Sequence, residues 1–503
     1  MAFTTIPYLL FLPLCLAVVF LVPDKLKNVF LLVASWFFYL CAGSPGYVVF
    51  LWLGTLASYL FGRLLEKPAP RKKRLAFLWA GIGFQLLALL FFKYAGLFTN
   101  FFALWGQKTG FLYTAADAAG VVSLIAPLGI SYYTFQTVGY LADVYHKKVP
   151  AEHDLITYAL FVSFFPQITA GPIGRAGSLL PQLNGRYRFD AARTVSALRL
   201  MLLGFFKKIA VADMPAMYLN VVYAGVEKQN GMTLFFMPLC YMFWLYCDFS
   251  GYSDIALGSA RLFGIDLIQN FDTPFFSRSV QEFWRRWHVS LSSWLRDYVY
   301  FPLGGSRCSH LRHYVNLAVT FLLSGLWHGA GPTFLVWGAL FAVFQLAEAF
   351  LHQFYKKPPL NEPRWKRILK TAGTYWLVSF CFIFFRAATL DDALHIMTGQ
   401  FFGWNIGAFL QNTLDAVGKG FNSTPLLTYA YLAFCLLCAA VVIFMDWYRC
   451  FKLGNGDLSQ GFSKLKPAVR WVCYYALLAL VFAAFLMNNG YYGGGASTAY
   501  AGF

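Results

Sequence analysis

Two tryptophan-histidine pairs, Trp287-His288 and Trp327-His328, stand on either side of a basic, glycine-turned segment. The sequence gives the two histidines different solvents. His288 has Arg285, Arg286 and Arg296 around it, the pattern of a headgroup boundary, whereas His328 lies in a run from Leu317 to Phe344 with no Asp, Glu, Lys or Arg. An ionisable side chain in such a run is costly to place in a bilayer and marks a functional position by default. Directly after it, Gly329-Ala330-Gly331-Pro332 predicts an interrupted helix, because proline lacks the backbone donor that a helix interior needs. A histidine that merely hydrogen-bonds between helices is the bland alternative. It does not by itself predict the break, the adjoining tryptophan or the second pair.

The chemistry open to such a histidine is that of a general base. No H-E-x-x-H metal spacing, G-x-S-x-G nucleophile elbow or phosphate loop occurs, so no metal is expected and the chain has no obvious nucleophile of its own. A buried base then suits transfer between two bound substrates. His328 would take the proton of an acceptor hydroxyl as that hydroxyl attacks an acyl thioester, a role worth roughly 10²–10⁴-fold in rate. Around His288, the segment 282–305 places Phe283, Trp287, Leu291, Trp294 and Tyr298 on one stripe, as an interfacial amphipathic helix would. Arg296 and Asp297 fit ion pairs with neighbours.

The elements that must hold these residues are membrane helices. A 503-residue chain with 59% hydrophobic and 12% charged residues, and a mean hydropathy of +0.56, cannot hide its apolar surface in a water-soluble core. The net charge of +18 sits in short loops between apolar runs, where positive-inside topology accounts for it and nucleic-acid binding is not needed. The run from Pro7 to Pro23 reads as a retained first span. Basic loops alternate with an uncharged turn, so the amino terminus and the carboxyl-terminal tail are expected outside and the basic loops in the cytoplasm.

From Asp154 the runs shorten and are broken by Pro, Gly and amides. Irregular backbone at membrane depth is tolerated only where protein or a water-filled cavity covers it, so the middle third is expected to build a cavity. It includes FVSFFPQITAGPIG (161–174), a polar linker to Arg193, a run from Ala197 to Ala212, and two spans, Met232–Cys247 and Ser253–Phe263, either side of a turn DFSGYSD. The ten cysteines are scattered singly and read as small buried hydrophobes.

The stretches APLGISYYTFQTVGYLADVY (126–145), FFPQITAGPIGR (164–175), YCDFSGYSDIALGSARLFGI (246–265), EFWRRWHVSLSSWLRDYVYFPLGG (282–305) and SGLWHGA (324–330) together resemble the membrane-bound O-acyltransferases. The nearest branch is the bacterial one that acts in alginate O-acetylation and teichoic acid D-alanylation. The resemblance implies an all-α polytopic membrane protein, a ring of about ten to twelve transmembrane helices with re-entrant or interfacial helices around a central tunnel. One domain would span 1–503, with amino-terminal spans in 1–119, a catalytic core in 120–345 and further spans and a tail in 346–503.

It implies His328 as the principal catalytic residue, His288 as a second functional position, and supporting or tunnel positions at Trp287, Trp327, Asp248, Ser250, Arg296, Asp297 and Gln167. No bound cofactor is implied; the donor would be acetyl-CoA or another acyl thioester. The setting would be a bacterial inner membrane, where an extracytoplasmic acyltransferase partner of the SGNH-hydrolase type passes the group to an exopolysaccharide such as alginate. The ending TAYAGF resembles a Tyr-x-x-Phe ending of this branch, which implies Tyr500 as an acyl carrier. Peptidoglycan or teichoic acid is the alternative acceptor. A transporter with His328 as proton relay is the alternative from another class.

Overall fold

The structure is a computed structural model that describes the chain except residues 43–44, 110–126, 355–362, 422–424, 455, 457 and 493–503. Among the described residues every regular element is helical. The amino-terminal third comprises α1 (Ile6–Leu21), α2 (Asp24–Ala42), α3 (Val48–Glu66), α4 (Arg71–Thr109) and α5 (Ile130–Tyr145). The middle comprises α6 (Leu155–Ser163), α7 (Phe165–Ile168), α8 (Ala176–Leu183), α9 (Ala191–Phe205), α10 (Ala216–Ala224), α11 (Gly231–Leu262), α12 (Val280–Arg286), α13 (Val289–Leu295), α14 (His310–His328) and α15 (Pro332–Phe354). The remainder is α16 (Arg364–Arg386), α17 (Leu390–Gly399), α18 (Ile406–Phe421), α19 (Pro425–Phe451), α20 (Leu458–Ser463) and α21 (Pro467–Tyr492). Two π-helical turns, Phe206–Ala212 and Arg296–Tyr300, continue α9 and α13.

Among the described residues, eight helices are long and apolar enough to cross a bilayer, and two shorter apolar segments, Ile6–Leu21 and Leu155–Ile168, accompany them. Leu10, Leu87, Leu426, Leu436 and Val472 are each at least two-thirds exposed, an apolar outer surface that only lipid can cover. The chain is therefore a multi-pass membrane protein.

Three expectations change. The DFSGYSD stretch is no turn: it lies inside α11, a single helix of 32 residues. At 1.5 Å per residue this helix runs about 48 Å, more than the ~30 Å hydrocarbon core. Its aspartates pair with lysines of the π-helical turn Phe206–Ala212. Lys208 pairs with Asp213 at 2.7 Å and with Asp248, and Lys207 pairs with Asp254 at 2.9 Å. The amphipathic helix expected over 282–305 is also divided, into α12 and α13, by His288, whose φ of 42° and ψ of 53° are left-handed. The polar linker contains α8.

Two large hydrophobic clusters make up most of the core. One joins α1–α9 with the end of α11; the other joins α9–α12 with α15–α21. A third, small cluster contains Tyr132, Phe135, Leu291, Trp294 and Trp327. The two histidines meet this third cluster at Trp327.

Candidate active site

His328 is the last residue of α14, held where the Gly329–Gly331 link turns the chain into α15. Its ring is 4% exposed and is walled by aromatic neighbours: Trp327 at 4.7 Å between centroids, Phe385 at 4.9 Å and Trp337 at 5.1 Å. Nδ1 of His328 is buried with no hydrogen-bond partner in the protein. The last carbonyls of a helix lack partners within it. Here α4 supplies them: the Lys93 ammonium donates to the carbonyl of Trp327, and the Tyr94 hydroxyl to that of Leu326. Lys93 Nζ also lies 5.4 Å from the Trp327 ring centroid, a cation over the indole that packs on the imidazole.

His288 departs from its expected setting. It does not sit at a polar boundary among arginines; its ring is 1% exposed, 4.8 Å from Phe249 and 6.0 Å from Trp327. The break between α12 and α13 is the cause. The left-handed residue leaves His288 buried while Arg285 stays outside, and Asn270 fixes the start of α13 by accepting from the Ser290 amide at 3.2 Å while its own carbonyl accepts from Val289. Both ring nitrogens of His288 are buried without a partner. Trp327 thus touches both histidines, its indole N–H likewise unpaired. Buried polar atoms are usually hydrogen-bonded, so this set of orphans marks a polar spot inside an aromatic shell.

The other sequence-derived positions divide. Ser250 follows Phe249, the ring on His288, and its hydroxyl is buried and unpaired. Trp287 packs away from Trp327, against Phe271, Phe283 and Phe382. Gln167 donates to the Phe161 carbonyl at 2.8 Å and leaves Oε1 unpaired. Asp248 belongs to the Lys208 ion pair. Arg296 and Asp297 join a polar edge in which Arg175 meets Asp297 at 3.0 Å. Tyr500 lies outside the described residues. Lys93, Trp337 and Phe385 touch the histidine environment without having been singled out in the sequence.

A cavity of about 480 Å³ runs beside α14, lined by His313, Leu317, Phe321 and Ser324, with Arg285 and Arg296 also on its wall. Ser324 is four residues before His328, one helical turn away on the same face.

A model of the membrane-bound O-acyltransferase family matches residues 80–390, and the chain belongs to that family. It is an O-acyltransferase built on membrane helices. Among its relatives, a probable alginate O-acetylase AlgI of Pseudomonas aeruginosa is 35% identical over 429 residues, covering 84% of this chain and 79% of the relative. A peptidoglycan O-acetyltransferase of Helicobacter pylori is 32% identical over 78% of this chain and 77% of its own. A teichoic acid D-alanyltransferase of Bacillus subtilis is 28% identical over 52% of this chain and 69% of its own.

Proposed function

We propose that this chain moves acetyl groups from a cytoplasmic thioester, acetyl-CoA, across a bacterial inner membrane for O-acetylation of an exopolysaccharide of the alginate kind. An extracytoplasmic acyltransferase partner completes the transfer. The observation that carries this reading is His328: a buried imidazole with an unpaired nitrogen, at a helix break, four residues beyond Ser324 on the wall of the cavity beside α14. In the reaction an imidazole nitrogen of His328 accepts the acceptor's hydroxyl proton while the oxygen forms a bond to the acetyl carbonyl carbon. The carbon–sulfur bond then breaks, and the thiolate leaves with the proton returned by the imidazole. The acyl group and the hydroxyl proton exchange partners between oxygen and sulfur, and no metal is required by the balance. The basic side chains at the cavity, Arg285 and Arg296, suit a donor that carries phosphates.

The names of the alginate relatives favour a polysaccharide acceptor, and that of the Helicobacter relative favours peptidoglycan as the second reading. Membranes containing the protein, supplied with acetyl-CoA radiolabelled in the acetyl group, separate the readings. Label in exopolysaccharide ester supports the first; label confined to wall glycan supports the second. A thioester left intact while label crosses the membrane would mean a transporter.

A further inference from the structure

We infer that Trp337 and Phe385 set the length of the acyl group, holding the enzyme to a two-carbon chain. This rests on His328 being the centre of transfer. An attacking oxygen hydrogen-bonded to the imidazole lies about 2.6–3.2 Å from a ring nitrogen, and the carbonyl carbon it attacks lies about 3–3.5 Å further on. The carbonyl carbon thus lies within about 7 Å of the imidazole, and the acyl chain beyond it packs against the rings that surround His328. That shell is Trp337 from α15 and Phe385 from α16, with Trp327 on the side of His288.

Neither ring can swing aside freely. Trp337 is 1% exposed and packs on Trp284 at 5.8 Å, Phe341 at 5.1 Å, Phe382 at 5.6 Å and Phe385 at 5.5 Å. Phe385 is backed by Phe382 at 5.3 Å and by Phe334 at 5.2 Å. A methyl group asks the least room of these rings; each further methylene has to displace one that is itself wedged. Interiors are packed closely enough for a single methylene to be felt. The pattern differs from the cavity at Ser324, whose lining includes the flexible Arg285, Arg296 and Gln281.

The test uses membranes that hold the full-length protein and its native partner, supplied with acetyl-, propionyl- and butyryl-CoA in competition. Acyl esters on the polymer are released and counted by mass spectrometry. Wild type should favour acetyl over propionyl by at least about tenfold, the discrimination one methylene allows in an apolar pocket. Phe385→Ala and Trp337→Phe should each raise the butyryl-to-acetyl ratio by about tenfold or more. Because a ratio does not depend on protein amount, Phe385→Leu provides the same reading if the alanine variant accumulates poorly. Equal use of the three donors by wild type, unchanged ratios in the variants, or loss of all transfer at normal abundance would each overturn the assignment. His328→Ala in the same membranes keeps the two ideas apart: if it still transfers acetyl, the reading of His328 has failed, whatever the ratios show.

Discussion

Lys93 lies in α4, far in sequence from His328, yet its ammonium donates to the carbonyl that precedes the histidine. A charged donor on a terminal helix carbonyl fixes the direction in which that helix ends. Hydrogen bonds to charged groups contribute about 1.5–3 kcal/mol. Lys93→Met should therefore lower acetyl transfer by about tenfold or more, with membrane abundance near wild type, measured as labelled ester per unit of immunodetected protein. The buried ion pairs make a different prediction, one about stability. Lys208→Met strands Asp213 and Asp248 in the interior, and breaking a buried pair from one side costs about 3–5 kcal/mol. The melting temperature in detergent should fall, and adding Asp248→Asn should recover part of the loss. A single variant as stable as wild type would show that these carboxylates have water instead.

The helix break at 329–331 is an element-scale feature that the sequence makes readable, because Gly and Pro act on the backbone directly. α14 and α15 pack antiparallel on either side of it. At Gly325 an added Cβ would stand 2.4 Å from the Phe334 carbonyl oxygen, and at Gly338 it would stand 2.6 Å from that of Phe321. Gly325→Val should cost about 1–3 kcal/mol through overpacking and displace His328, so both the thermal midpoint and ester formation should fall. Gly373→Ala on α16, with open space around it, should leave both unchanged or slightly improved.

Other elements were less legible. The Gly, Ser and Asp residues of 248–254 have turn chemistry, but Gly251 lets α9 approach closely, where an added Cβ would meet the Gly204 carbonyl at 2.8 Å. The aspartates find lysines on the π-helical turn of Phe206–Ala212. Polar residues answered by a neighbouring helix look the same in sequence as polar residues answered by water. Likewise the ring stripe of 282–305 reads as one helix, because nothing in the side-chain period reports a left-handed residue at its centre. Trp337 and Phe385 could not be singled out in a chain that is 20% aromatic; only folding reveals which rings meet His328.

At the scale of the whole molecule, the ends of α11 define two faces. Its carboxyl end meets a basic region, where Arg193 donates to the Gly264 carbonyl at 2.9 Å and Arg261 approaches Asp266 at 3.6 Å. Its amino end joins the α17–α18 link, the Gly231 amide donating to the Gly403 carbonyl at 3.3 Å. The K/R rule puts the basic face in the cytoplasm. In a background with all ten cysteines replaced, Lys72→Cys and Arg364→Cys should be labelled only from the cytoplasm and Phe402→Cys only from outside; labelling of Phe402→Cys from the cytoplasm would invert the arrangement. The transfer proposed across those faces centres on His328. The most direct test is the ester-linked acetyl content of the polymer made by cells carrying His328→Ala or His328→Gln, compared at matched membrane abundance. Both variants should leave the polymer unacetylated, since neither side chain can take and return a proton. Acetylation near the wild-type level in either well-expressed variant would contradict the catalytic role of His328.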